Sequence, residues 1–179
     1  MNELLRDEAL LLALLNTTPV DGGTQVDELG EEQAAIAWLR SHGGTGSPAE
    51  LEHTRRARDA LQHVVRDNHA PATLSQFLDG VSLAPSIRSG RLAWQFQAPV
   101  DMELAARAVI TWYDIEESLP GRLRPCGNDE CRRYLIDHSR GNRAQWCSMA
   151  VCGNRMKARR HYQRTREARS PEPARTPPA

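Results

Sequence analysis

The sequence has no long hydrophobic run: among its 179 residues the longest wholly apolar stretch is Ala9–Leu15, seven residues. A membrane-spanning helix needs about 20 such residues, so none can be built from this chain. The residues before that stretch include Glu3, Asp7 and Glu8, and no small-residue cleavage site follows it. Both features argue against a secretory signal and predict a cytoplasmic protein. Net charge is also missing, with 23 Lys and Arg against 23 Asp and Glu. Lysine is nearly absent, one against 22 Arg, a bias that a GC-rich genome could produce without any functional cause. There is no internal repeat, and no cysteine precedes Cys126.

What is present is unevenly placed. Residues 1–120 carry nine Arg against eighteen Asp and Glu, net −9, whereas residues 121–170 carry thirteen Lys and Arg against four Asp and Glu, net +9. Such a split predicts an acidic body with a basic module, and a basic module points to nucleic acid or another polyanion. The two parts either attract in cis, masking the basic module, or the acidic face is simply solvated.

The acidic part reads as mainly helical. Leu4, Leu5, Leu11, Leu12 and Leu15 recur at helical spacing over Glu3–Leu15, and Asn16–Gly23 is rich in turn residues. A second helix is expected over Glu31–Ser41, and a third from Ser47-Pro48, with serine as N-cap and proline in the first turn. A shorter helix is expected over Ala72–Leu83. Leu92, Trp94 and Phe96 then alternate with small or polar residues as in a half-buried strand, preceded by a Ser89-Gly90 hairpin turn. A last helix over Asp101–Leu119 ends at Pro120-Gly121. Trp38, Trp94 and Trp112 are expected in the core. Residues 1–119 are therefore expected to form a mainly α domain with a small β-hairpin, and the proline-rich 170–179 a disordered tail.

Between them, Cys126, Cys131, Cys147 and Cys152 are spaced C-x4-C-x15-C-x4-C. Two close pairs separated by a hairpin-length insert in a cytosolic chain read as a zinc site, not as disulfides. Four thiolates fill a tetrahedral shell and leave no position for water or substrate, so one Zn2+ per chain would be structural. The insert holds a strand-like Tyr134-Leu135-Ile136, a Ser139–Asn142 turn and a returning Ala144-Gln145-Trp146. This is a β-hairpin of the kind found in treble-clef-like zinc modules.

After Cys152 the run Met156–Arg166 has no helix breaker. At 100° per residue, Arg155, Arg159, Tyr162 and Arg166 share one face and Lys157, Arg160 and Arg164 the opposite one. Only Met156 and Ala158 are plainly apolar, so the helix has little stripe with which to dock on its own protein. Duplex DNA offers phosphates on both sides of a groove, and Arg155, Lys157, Arg159, Arg160 and Arg164 are the candidate contacts. Asp137-His138, Asn142 and His161 raise a different reading, that of a His-Asn-His nuclease, although Asn142 in a turn and His161 among arginines have plainer roles. His42, His53, His63 and His69 show no spacing suited to shared metal ligation. Asn16-Thr17 could line a ligand pocket or form a cap or turn.

Arg124-Pro125-Cys126, Cys131, the run Tyr134–Asp137, Ser139-Arg140, Trp146-Cys147-Ser148-Met149 and Cys152-Gly153-Asn154-Arg155 resemble the CGNR zinc finger family over about residues 122–162. His138 stands where that pattern has Thr or Ser. The finger of that family usually follows an ABATE domain, a name attached to stress-induced transcription regulators. Leu11–Thr17 and the Trp38-Leu39 helix resemble that domain. The resemblance implies a zinc-stabilised, non-enzymatic transcription regulator with a basic module over 122–169 that binds duplex DNA. The N-terminal domain would answer to a small-molecule effector or a protein partner. An RNA-binding or protein-interaction adaptor is the alternative.

Overall fold

In α3, Pro48–Asp67, Ser47 caps the helix as its position implies: its Oγ accepts from the Glu50 amide at 3.0 Å and donates to Asp101 at 2.6 Å. Proline in the first turn lacks only an N–H that would have had no helical partner. The apolar face of α3, with Leu51, Ala57, Leu61 and Val64, is the centre about which the rest of the chain packs.

The computed structural model describes residues 7–169. The chain runs α1 (Glu8–Leu15), the short hairpin β1–β2 (Val20–Asp21, Thr24–Gln25), α2 (Glu32–Ser41), α3 and a 3-10 helix at Pro71–Leu78. The hairpin β3–β4 (Ser82–Arg88, Arg91–Gln97) and α4 (Glu103–Ser118) follow. Then come β5 (Leu123–Pro125), β6 (Tyr134–Ile136), one π-helical turn (Met149–Gly153) and α5 (Asn154–Arg169). Each sheet is a two-stranded antiparallel pair. A mainly helical body with small hairpins, followed by a hairpin-and-helix cysteine module, is the architecture the sequence implies.

Helix α1 is capped by Asp7, which accepts from the Leu10 amide at 3.0 Å and pairs with Arg107 of α4 at 2.5 Å. The expected start at Glu3, with Leu4 and Leu5, lies outside the described residues, as does the tail 170–179. Leu10, Leu11, Leu14 and Leu15 are all buried, so this helix is apolar nearly all round because it is covered nearly all round. Arg58 of α3 is buried, with its charge kept by a two-pronged pair to Asp27 (2.6 and 3.1 Å) and a contact to Asp59 at 2.9 Å. Burial alone would oppose that charge, and the two carboxylates outweigh it.

Three expectations are corrected. The helix expected over Ala72–Leu83 ends at Leu78, because Asp79-Gly80 turns the chain into β3. Trp94 is not core: it is 46% exposed, whereas Trp112 is buried and Trp38 packs against the core edge. The insert hairpin does not close on itself either. Tyr134–Ile136 pairs with Leu123–Pro125, in the register Leu123↔Ile136 and Pro125↔Tyr134, and Ala144–Trp146 returns without strand pairing. The Ser89-Gly90 turn is as expected, both residues having positive φ (52° and 72°), as a two-residue hairpin requires.

The β5–β6 pair docks on α3 and α1, and Leu123 and Tyr134 belong to the same buried cluster as the body's leucines. Asn16, at the end of α1, acts as a side-chain clamp on the β6 edge. Its Oδ1 accepts from the Tyr134 amide at 2.7 Å and its Nδ2 donates to the Tyr134 carbonyl at 3.3 Å. Arg66 of α3 lies over the Tyr134 ring, 4.8 Å from its centroid, and donates to its hydroxyl at 3.1 Å and to the Arg132 carbonyl at 3.0 Å. The clamp settles the role of Asn16 as structural. Thr17, fully buried, donates to the Leu14 carbonyl at 2.8 Å.

Candidate metal centre and basic helix

The four cysteine sulfur atoms all lie within 4.8 Å of one another. The Cys131–Cys147 and Cys147–Cys152 separations are each 3.7 Å. A tetrahedron with metal–sulfur bonds of about 2.3 Å has an edge of about 3.8 Å, so the sulfurs stand at the spacing of zinc ligands and far beyond a disulfide bond. All four are free thiols.

The local backbone explains how two loops present them. Cys126 directly follows β5, its amide donating to the Arg133 carbonyl at 2.8 Å, and the loop turns back so that the Cys131 amide donates to the Asn128 carbonyl at 2.7 Å. Of the second pair, Cys147 precedes the π turn and Cys152 lies within it, and Ser148 caps the turn by accepting from the Val151 amide at 3.3 Å. Gly153 lets the turn pack closely, since a Cβ there would stand 2.8 Å from the Met149 sulfur and displace that side chain. The Cys147 amide donates to the Cys126 sulfur at 3.4 Å, and the buried Asn128 amide to the Cys152 sulfur at 3.7 Å. Such donors orient and stabilise thiolate ligands.

Burial pushes the Cys131 and Cys147 thiols above the usual range, with neighbouring sulfurs adding to the effect. At Cys152 burial opposes ionisation too, but the Asn128 amide and the adjacent thiols bring the group below its ordinary value. Four thiolates this close repel one another, and a divalent cation is the group that makes them compatible. Cys126, Cys131, Cys147 and Cys152 would hold it, and it would supply a structural cross-link between the two loops.

Asp137 is the second organising residue. It is buried, and its carboxylate accepts from the Ser139 amide at 2.7 Å, the Ala144 amide at 2.8 Å and the Arg124 guanidinium at 2.6 Å. Hydrogen bonding from Ser139 comes first among the effects that lower its pKa to about 2; desolvation opposes it, and Ala144 and Arg124 reinforce it. Arg124 also donates to Asn142 at 2.7 Å, and Arg122 to the carbonyls of Asp137 and Ser139 at 2.7 Å each. The loop between the cysteine pairs is thus stapled by two arginines from β5 and its entry. Nothing in residue spacing singled out Asn128 or this arginine staple.

The nuclease candidates Asp137, His138 and Asn142 lie in one loop, where Arg124 holds both Asp137 and Asn142, but with His161 they form no metal-ligating group. His138 pairs with Glu8 of α1 at 2.7 Å, and Asn142 is held by Arg124. His161 lies on α5 beside Tyr162. Among the described residues, the four cysteines form the sole cluster of three or more metal-ligating side chains.

Helix α5 leaves this centre directly. From Lys157 to Arg166 every side chain is exposed, as is Arg155, and only Met156 is half-buried. Arg159 forms an ion pair with Glu130 of the first cysteine loop, and Arg160 stands 5.9 Å from the centroid of Trp146. Arg124, Arg143, Trp146 and Arg160 line a cleft of about 610 Å³ beside the first turn. The masking of this helix by the acidic body is not the arrangement found, since α5 packs against the π turn and its basic side chains face outward.

A closed four-cysteine centre that anchors a helix to a β-hairpin defines a zinc finger protein. The CGNR zinc finger family matches residues 122–165, and the ABATE family, described as "Putative stress-induced transcription regulator", matches residues 8–113. The chain belongs to the ABATE family, with a C-terminal CGNR finger that binds one structural zinc ion. No curated protein matches it. Among the described residues, no helix is long and apolar enough to cross a membrane.

Proposed function

We propose that the chain is a DNA-binding transcription regulator whose α5 contacts duplex DNA, the N-terminal domain serving as sensor or interaction domain. The observation that carries this reading is a basic helix, exposed from Lys157 to Arg166, rooted in the four-cysteine centre. Arg155, Lys157, Arg159, Arg160 and Arg164 project around it, and it has almost no apolar stripe of its own. Cations on both sides of a helix suit the two phosphate walls of a groove, and the metal centre fixes where the helix starts. The adjoining cleft adds Arg143 and the Trp146 ring to the same basic surface. The reading is non-enzymatic, because a four-thiolate zinc has no coordination position for substrate.

Selection from random duplex DNA by the full chain at stated salt tests it. A preferred sequence should emerge, and alanine at all five positions should flatten the dependence of log K on log salt, by about 0.9 for each phosphate that is no longer neutralised. The selected DNA should stay intact with magnesium or manganese present. Unchanged affinity and slope in the five-alanine variant would reject the assignment. Affinity for RNA alone would favour the adaptor.

A further inference from the structure

Unlike β5–β6, which docks on α3 and α1, the seven-residue strands of the β3–β4 hairpin pair with each other and pack little on the body. The register places Leu83 opposite Phe96, Pro85 opposite Trp94 and Ile87 opposite Leu92. Cross-strand partners share a face, so these six residues form one apolar ladder, while Ser82, Ser86, Gln95 and Gln97 fall on the other face. That ladder is open to solvent: Leu83 is 42% exposed, Trp94 46%, Leu92 67% and Ile87 77%. At its root lies an apolar cleft of about 610 Å³, walled by Leu74, Leu78, Leu83, Phe96, Trp112 and Tyr113.

We infer that the chain pairs with a second copy of itself through this face, each hairpin tip seating in the cleft at the root of the other. Three observations select that occupant. A two-fold contact needs one surface that is complementary to itself, and this one carries both a knob, Ile87 with Leu92, and a hole. The knob stands four residues along the strand from the cleft edge, about 13 Å, so a two-fold axis between them brings each tip over the opposite cleft. The ladder itself carries no charge, so a copy meets no like-charge repulsion across it.

Area agrees. With Leu78 and Tyr113, the exposed ladder amounts to roughly 700 Å² per copy, more than the largest apolar patch of an ordinary monomer, about 300–600 Å². Covering it on both copies buries about 1,400 Å², within the range of stable interfaces. A small apolar ligand would fill the cleft and leave Ile87, Leu92 and Trp94 in water.

Sedimentation equilibrium of the full-length, zinc-loaded chain tests the inference. A dimer is expected at micromolar concentration. Ile87→Asp and Leu92→Asp should each weaken it at least about 100-fold, because the symmetry introduces every charge twice. Gln97→Asp, on the other face, should leave it intact. Both tip positions are exposed, so circular dichroism and zinc content should match the parent protein and separate lost pairing from lost folding. A chain that remains monomeric up to about 100 µM, whether or not it takes up an apolar dye, would overturn the inference. So would a dimer that survives both tip variants, or one that Gln97→Asp also dissociates. DNA affinity does not enter these outcomes, so the inference and the proposed function fail separately.

Discussion

Tyr134→Ala should unfold more than the finger. Tyr134 is 2% exposed and sits in the body's buried cluster, under Arg66 and beside the Asn16 clamp. Removing a buried aromatic ring costs about 3–5 kcal/mol. If body and finger melt as one unit, that cost appears in the main transition, and for a domain of 150–250 residues it lowers Tm by about 6–20 °C. Tyr134→Phe keeps the ring and removes only the hydroxyl bonded to Arg66, so it should cost about 1 kcal/mol. Differential scanning calorimetry of the full chain reads both, with a single endotherm expected throughout. Two endotherms in the alanine variant, the larger staying at the parent temperature, would show that the shared cluster couples nothing and would refute the reasoning.

Other outcomes follow from the same architecture. Purified protein should hold one zinc per chain, and serine at any of Cys126, Cys131, Cys147 or Cys152 should abolish stoichiometric zinc by elemental analysis while releasing three titratable thiols. Asp137→Asn should destabilise the chain with a defined pH dependence. The native carboxyl has its pKa lowered to about 2, against an ordinary value near 3.8, so its contribution is present above pH 4 and lost as pH falls from about 4 to 2. The difference between parent and variant in urea unfolding should therefore be equal at pH 7 and pH 5. Gly44→Ala should cost about 1–3 kcal/mol in the same assay, since a Cβ there would stand 2.6 Å from a Glu50 oxygen and 2.7 Å from Leu104.

Local signals were readable in the sequence and long-range ones were not. Ser47-Pro48, Ser89-Gly90 and the two C-x4-C pairs each determine their geometry within a few residues, and each is realised as its chemistry implies. The partner of Tyr134–Ile136 is set instead by a three-residue strand and by Asn16, 118 residues earlier, and neither leaves a periodic trace. Periodicity in Leu92, Trp94 and Phe96 correctly places them on one face. It carries no information on whether anything covers that face, which is why Trp94 reads as core and is exposed. Asn128 and Arg124 owe their roles to the fold of the cysteine loops, and polar residues between ligands have no signature until the loops close.

The clamp between Asn16 and Tyr134 has a consequence for the order in which the molecule assembles. Chains leave the ribosome N-terminus first, so α1 is synthesised well before the strand that completes its surroundings. Until residue 134 emerges, the Asn16 amide and the cluster around α1 and α3 lack Leu123 and Tyr134. Closing so long a loop is entropically slow compared with forming a helix, and the last two zinc ligands lie further along still, at Cys147 and Cys152. Metal capture is therefore a late step of biogenesis, and a nascent chain halted before it displays an incompletely covered leucine-rich surface, the kind that chaperones and proteases survey.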